Sequence, residues 1–334
     1  MQTTRRPRTA LASTVGLLVA MAGCGGAGTV APAPAAAVII REVATLDGAA
    51  PGSIVSGRDG SIWIGILNGR SLLRYKLDGS LTMFRAGLTS APNGGVTAGP
   101  DGNVWFAELD VNLIGRITPA GTVAEFATSG KASLGPSAIT SGPDGNLWFT
   151  DYGANAIGRM TPQGTVTEFT SGISAEAALT SIAPGADGNL WFTENAGNRV
   201  GRITPSGVVT EFAQLPVPRA LPGQIAAGPD GNLWFTEGGA NRIGRITPAG
   251  RLTEFGDGLS RDAFPSAITA GRDGNLWFTE IGANRIGRIT PGGTVTEFVG
   301  GISPNAGLRA ITLGPDGAIW FTEQDAGRIG RVTY

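Results

Sequence analysis

Carboxylate side chains recur at a fixed distance from tryptophans along the chain. An acid stands three residues after six of the seven tryptophans, and only Ile66 interrupts the series; these acids are Glu108, Asp151, Glu194, Glu237, Glu280 and Glu323. Carboxylate oxygens are the ligands that Ca²⁺ and Mg²⁺ prefer, so one hypothesis is a ring of acids around a cation. The alternative is structural, because an arginine follows every tryptophan by eleven residues and could pair with the acid. The matching offsets favour the structural interpretation.

Several kinds of chemistry are excluded by composition. The 334 residues contain no histidine and one cysteine. Histidine general bases, Ser-His and Cys-His nucleophiles and histidine metal ligands are therefore excluded. An internal disulfide and a cysteine metal cluster are excluded as well. The net charge is −1 and no basic block occurs, so a nucleic-acid partner is not expected.

The spacing of the tryptophans predicts the fold. The intervals are 42 residues once and 43 residues five times, between Trp63, Trp105, Trp148, Trp191, Trp234, Trp277 and Trp320. A period in the low forties, with turn and strand signals in each unit, is typical of a β-propeller. Within each unit, alternating apolar residues indicate four short strands, Asp-Gly closes the first hairpin, and Thr-Pro-x-Gly closes the third. The expected fold class is all-β, a seven-bladed propeller of four-stranded blades.

The two ends of the repeat region predict how the ring closes. The last repeat stops at Tyr334 without a fourth strand, whereas residues 38–47 read as a strand with no repeat of their own. We expect this N-terminal strand to complete the last blade, which removes the exposed sheet edges of an open array. Residues 38–334 are therefore predicted to be one propeller domain, and a monomer.

Positions where the repeat varies are the better candidates for a binding site. Eleven residues before each tryptophan, at the entrance of the central channel, stand Gly52, Gly94, Ser137, Thr180, Gly223, Ser266 and Arg309. Neighbouring loops add Arg219 and Arg261. An entrance with hydroxyls and arginines suits a small-molecule or protein ligand that is anionic or rich in hydrogen-bonding groups. The alternative is a solvated rim without a ligand.

The N-terminus has the features of an export signal. Arg5, Arg6 and Arg8 precede a short apolar run, and the run ends in two small residues before Cys24. This pattern resembles the bacterial lipoprotein signal, so we expect a signal peptide over 1–23, lipidation at Cys24 and an Ala/Pro/Gly-rich tether over 24–37. The predicted location is the cell envelope, on the periplasmic side or the outer surface, with membrane contact only through the lipid. The alternative is an ordinary secretory signal with a chance cysteine.

The repeat itself resembles one enzyme family. The strings GPDGNLWFTEGGANRIGRITPAGRLTEF (228–255) and GRDGNLWFTEIGANRIGRITPGGTVTEF (271–298) are similar to the virginiamycin B lyase family, the streptogramin B lyases. The resemblance covers all seven units and implies a seven-bladed propeller. It also implies Mg²⁺-dependent elimination at an ester C–O bond of a cyclic depsipeptide, without water.

The family's functional positions are largely substituted in this chain. The family tyrosine falls on Gly52, one histidine on Ser266, the general-base histidine on Arg309, and a metal-ligand glutamate on Gly307. The other metal-ligand glutamate falls on Glu323 or Gln324. The resemblance thus leaves Mg²⁺ as a possible cofactor, with Glu323 as its candidate ligand.

Three functions remain open at this point. The first is a binding propeller of the envelope, which the missing histidines favour. The second is a lyase, or a related ester or lactone enzyme, with a non-histidine base, in which Glu323 takes the proton and Arg309 polarises the carbonyl. The third is the family's own antibiotic lyase.

Overall fold

Seven antiparallel sheets of four strands form the blades of a propeller in a computed structural model that describes residues 37–128 and 134–334. Blades 1 to 3 consist of β2 (Pro51–Ser56), β3 (Ile62–Ile66), β4 (Ser71–Tyr75) and β5 (Leu81–Phe84); β6 (Val96–Ala98), β7 (Val104–Glu108), β8 (Leu113–Ile117) and β9 (Val123–Ala127); and β10 (Pro136–Ser141), β11 (Leu147–Asp151), β12 (Ala156–Met160) and β13 (Val166–Phe169). A short 3₁₀ helix, Leu109–Val111, follows β7.

The remaining four blades repeat this order of strands. They consist of β14 (Leu179–Pro184), β15 (Leu190–Glu194), β16 (Arg199–Ile203) and β17 (Val209–Glu211); β18 (Pro222–Ala227), β19 (Leu233–Glu237), β20 (Arg242–Ile246) and β21 (Leu252–Phe255); β22 (Pro265–Ala270), β23 (Leu276–Glu280), β24 (Arg285–Ile289) and β25 (Val295–Phe298); and β26 (Leu308–Leu313), β27 (Ile319–Glu323) and β28 (Arg328–Thr333) with β1 (Ile39–Thr45). The predicted fold class is confirmed.

The N-terminal strand closes the ring, as the sequence predicts. β1 lies antiparallel to β28, with Ile39 opposite Thr333 and Thr45 opposite Arg328. The hydroxyl of Thr322 in blade 7 also donates to the carbonyl oxygen of Gly52 in blade 1, at 2.9 Å. Both ends of the repeat region therefore belong to one blade, and no sheet edge is left open at the junction.

Each repeat tryptophan is buried between neighbouring blades and has its polar group paired. The indole N–H of Trp148 donates to the carboxylate of Asp144, four residues earlier, at 3.0 Å. The ring stacks on Phe169 of the outer strand, with 5.7 Å between ring centroids. This pairing explains why Asp-Gly and tryptophan recur together, since a buried indole N–H without an acceptor would be costly.

The arginine eleven residues after each tryptophan packs on the tryptophan ring and connects neighbouring blades. Arg159 lies over the ring of Trp148, with its guanidinium carbon 5.8 Å from the ring centroid. It donates to the carbonyl oxygen of Pro205 in the next blade at 3.0 Å. The predicted pairing of this arginine with the acid three residues after the tryptophan is therefore wrong. The hairpin register is the reason, because it places Arg159 opposite Trp148 and Ala156 opposite Asp151.

The predicted signal peptide (1–23), Cys24 and all of the predicted tether except Ala37 lie outside the described residues. Within 37–128 and 134–334, no helix is long and apolar enough to cross a membrane.

Candidate functional site

A polar cavity of about 340 Å³ opens where the inner strands begin at one end of the central channel. We call this cavity the mouth. Its polar lining comes from successive blades and consists of Ser53, Asn93, Ser137, Thr180, Ser181, Gln224, Ser266 and Arg309. Six inner strands contribute their first residues and the loop before β6 contributes Asn93, so side chains of different blades converge on one space.

The channel narrows below the mouth. A second cavity of about 120 Å³ shares Ser53, Ser181 and Gln224 with the mouth. Deeper in the channel it is lined by branched apolar side chains, which belong to Ile54, Val96, Ile139, Ile182, Ile225 and Ile311. We call this ring the apolar floor. A ligand in the mouth would contact polar groups at its sides and hydrocarbon beneath it.

Some of the mouth hydroxyls also connect neighbouring blades. Ser137 donates to the carbonyl oxygen of Leu179 at 2.9 Å, and Thr180 to that of Pro222 at 3.3 Å. Each hydroxyl keeps lone pairs that can accept from a ligand. These two residues therefore contribute to the inter-blade contact as well as to the lining.

Five of the nine residues predicted at the entrance line the mouth, and Gly52, Gly223, Arg219 and Arg261 do not; Gly94 is one of the five. Ser137, Thr180, Ser266 and Arg309 lie in it together. Arg219 is exposed on the loop before β18, and the Arg261 side chain, 95 % exposed, pairs with Asp262 on the loop before β22. These loops project into solvent before the inner strands begin, so Arg219 and Arg261 are not among the residues that line the mouth.

Glu323, the predicted base and metal ligand, does not line the mouth that Arg309 lines. Glu323 ends the second strand of blade 7, is fully buried, and lies opposite Leu308 and Arg328 in the ladder. One carboxylate oxygen faces the backbone N–H of Ser303 at 3.4 Å, and Glu42 of β1 lies beside it. Burial and the charge of Glu42 raise the pKa of Glu323 to about 7. The predicted reaction pair of Glu323 and Arg309 is not assembled in this structure.

The other repeat acids occupy the same kind of environment. Glu194 is fully buried, and burial followed by the charge of Glu211 raises its pKa to about 7. Glu211, on the outer strand, accepts hydrogen bonds from Arg199 at 2.8 Å and from the Ser174 hydroxyl at 2.6 Å. When protonated, Glu194 can donate to Glu211. The arginine of the acid cluster thus stands eight residues after the tryptophan. Spacing from the tryptophan did not predict this residue, although the Arg-Ile-Gly-Arg string contains it.

The acids do not form a cation ring. Each buried acid faces an outer-strand glutamate of its own blade, as Glu280 faces Glu297 and Glu108 faces Glu125. Across residues 37–128 and 134–334, no three Asp, Glu or Cys side chains come together in a way that could hold a metal ion. The cation-ring hypothesis is therefore not supported by the arrangement of the described residues.

The glycines at two family positions have close neighbours. A Cβ atom on Gly52 would lie 2.5 Å from the side chain of Leu67, which itself lines the mouth. Gly307 has a left-handed backbone (φ 64°), and a Cβ atom there would overlap the carboxylate of Asp325. A tyrosine at 52 or a glutamate at 307 would require these neighbours to move, and the second would also strain the backbone.

Solved structures show the same propeller. The catalytically inactive histidine-to-alanine variant of Staphylococcus aureus virginiamycin B lyase, described with quinupristin, is 37 % identical with a TM-score of 0.82, over 89 % of this chain and 100 % of that one. A streptogramin B lyase structure is 34 % identical with a TM-score of 0.81, over 89 % of this chain and 97 % of the other. The WD40 propeller domain of Doa1, at 11 % identity and a TM-score of 0.70, over 88 % of this chain and 96 % of that one, shares the fold alone.

Comparison at the level of sequence gives a consistent result. No curated protein matches the chain. The sequence model of the virginiamycin B lyase family matches residues 35–170 and 130–334. These two matches together span every blade, and the identity to solved members exceeds a third over most of the chain. The chain therefore belongs to the virginiamycin B lyase family.

Proposed function

We propose that this protein binds a ligand in the mouth of its propeller and lacks the elimination chemistry of its relatives. The observation that carries the proposal is the lack of a proton acceptor at the mouth. Arg309 is the one charged residue among those that line it, and the chain has no histidine. The S. aureus relative supports this proposal, because its histidine-to-alanine variant is catalytically inactive and its structure is one with quinupristin. Loss of a histidine there is compatible with a bound ligand.

The elimination mechanism requires two groups that the mouth does not supply. A base must remove the proton next to the leaving oxygen, and a cation must polarise the carbonyl. The guanidinium of Arg309 offers only hydrogen-bond donors and cannot serve as a base. Glu323, with its raised pKa, lies within blade 7 and does not reach the mouth. A lyase or hydrolase with a non-histidine base therefore has no proton acceptor among the lining residues.

A variant that fills the mouth tests the binding role. We expect Ser266→Trp to abolish the rise in unfolding temperature caused by small polar compounds, because the indole would occupy the cavity. The matched control is Gln163→Trp, an exposed position in the turn between β12 and β13 at the other end of the blades. A thermal-shift panel of hydroxy acids, sugars and quinupristin provides the measurement. A panel without any stabilising compound, or stabilisation that persists in Ser266→Trp, would contradict the proposal.

We further propose that the protein is exported and anchored by a lipid on Cys24, and that it acts as a monomer without a nucleic-acid partner. The basic and apolar segments before the chain's single cysteine support this location. We expect Cys24→Ser to move the protein from the membrane fraction to the soluble fraction, whereas Ser13→Ala leaves it membrane-bound. Fractionation and intact mass measure both effects. Unchanged processing and membrane association of Cys24→Ser would show that the anchor is not this lipid.

A further inference from the structure

We infer that the ligand of the mouth is a small hydroxylated carboxylate of about the size of a sugar acid, held through its carboxylate by Arg309. This inference rests on the proposed binding role and specifies its chemistry.

The first observation is an unmatched positive charge. Arg309 is exposed, and within the described residues no hydrogen bond or ion pair engages its guanidinium. Arginines that build the blades differ, since Arg331 pairs with Asp316 at 2.7 Å and Arg199 with Glu211 at 2.8 Å. The other six blades have glycine, serine or threonine at the position of Arg309. Arg309 is therefore not required for the fold, and its planar fork of donors suits a carboxylate.

The second observation is a set of neutral polar groups around this charge. The side-chain oxygen of Gln224 accepts from the backbone N–H of Ile268 at 2.9 Å, which leaves the amide N–H groups to donate. The hydroxyl of Ser53 is buried without a hydrogen-bond partner. Both residues line the mouth, together with Ser266. Amides and hydroxyls without an accompanying acid are suited to the hydroxyl groups of a ligand.

The dimensions of the mouth restrict the ligand further. Its volume of about 340 Å³ lies at the lower end of the range of roughly 300–1,000 Å³ found for small-molecule pockets. A monosaccharide acid is closer to this volume than a cyclic depsipeptide. The apolar floor offers hydrocarbon contact and no second positive charge. A monocarboxylate is neutralised by one arginine, whereas a phosphate dianion would keep a charge above Ile54 and its neighbours.

Glucuronate and glucose are a matched pair of probes, because they share one ring and differ in a carboxylate. Calorimetric titration of the full chain should show glucuronate binding more tightly than glucose and than inorganic phosphate. Arg309→Gln should weaken glucuronate binding by roughly 10- to 100-fold, as expected for hydrogen bonds to a charged group. Arg251→Gln, an exposed arginine in the turn between β20 and β21, should bind like the unmodified protein.

The outcomes separate this inference from the proposed function. Equal binding of glucose and glucuronate, with both lost in Ser266→Trp, would overturn the carboxylate and leave the mouth as a binding site. Glucuronate binding that persists in Ser266→Trp would overturn both proposals. Tighter binding of phosphate, or no binding of any probe, would overturn the ligand class.

Discussion

The free energy of unfolding should fall as the pH rises from about 4.5 to about 8. Five buried glutamates cause this dependence. Burial is the largest cause in each, and it raises the pKa of Glu108, Glu237 and Glu280 to about 8 and that of Glu194 and Glu323 to about 7. Above pH 4.5 the unfolded chain has lost these protons, whereas the folded protein still holds them. Each such group therefore lowers stability by about 1.4 kcal/mol per pH unit within its window.

Three outer-strand glutamates act in the opposite direction at lower pH. Burial opposes ionisation of Glu297, but hydrogen bonds from Ser260 and Arg285 outweigh it and lower its pKa. The stabilisation of the folded protein by ionised Glu297 is present above the pKa that Glu297 has in the unfolded chain. It is lost as the pH falls through the lowered pKa of the folded state. The same holds for Glu42 and Glu211. Stability should therefore be greatest in mildly acidic solution, near pH 4.5 to 5.

Glu280→Gln isolates one of these protons. The amide can donate to Glu297 as the protonated acid does, and it cannot ionise. We expect this variant to be more stable than the unmodified protein at pH 8, with a shallower fall in stability between pH 5 and 8. Glu176→Gln, in an exposed loop, is the control and should follow the unmodified protein. Denaturant unfolding over a pH series measures the slope, and an unchanged slope in Glu280→Gln would refute the assignment.

The fold could be predicted from the sequence because one local pattern of residues recurs seven times. Trp277, Asp273 and the turn between them define the first hairpin of a blade, β22–β23, and this pattern recurs in every blade. The register of the second hairpin, β23–β24, could have identified the arginine of the acid cluster, since pairing Trp277 with Arg288 places Glu280 opposite Arg285. Spacing from the tryptophan alone pointed to the wrong arginine because it ignores the reversal of direction in a hairpin.

The mouth was predictable only where inner strands form it. Ser266 and Arg309 follow from the repeat, because residues at equivalent strand positions meet around the central axis. Arg219 lies on a loop whose path depends on contacts with a neighbouring turn. Ala220, which follows Arg219, donates its backbone N–H to the side-chain oxygen of Asn198 in that turn. The contact between Gly307 and Asp325 likewise joins two loops, and periodicity contains no information about it.

We also expect the protein to leave streptogramin B antibiotics intact. Loss of a positioned general base alone lowers a rate by about 10²–10⁴-fold. The resemblance to the family implies that Ser266 and Arg309 stand in place of two histidines, and Gly307 in place of a metal-ligand glutamate. Such groups act together, so the separate losses should not be multiplied. The expected rate is at least this factor below that of the S. aureus relative.

The most direct test of the missing elimination chemistry is one incubation of quinupristin with the purified protein and Mg²⁺, analysed by liquid chromatography with mass detection. Chromatography is needed because an elimination product has the mass of its substrate, whereas hydrolysis adds one water. The S. aureus relative is the positive control. We predict that quinupristin is recovered unchanged while the control converts it. A ring-opened product that grows with protein concentration and requires Mg²⁺ would contradict the account.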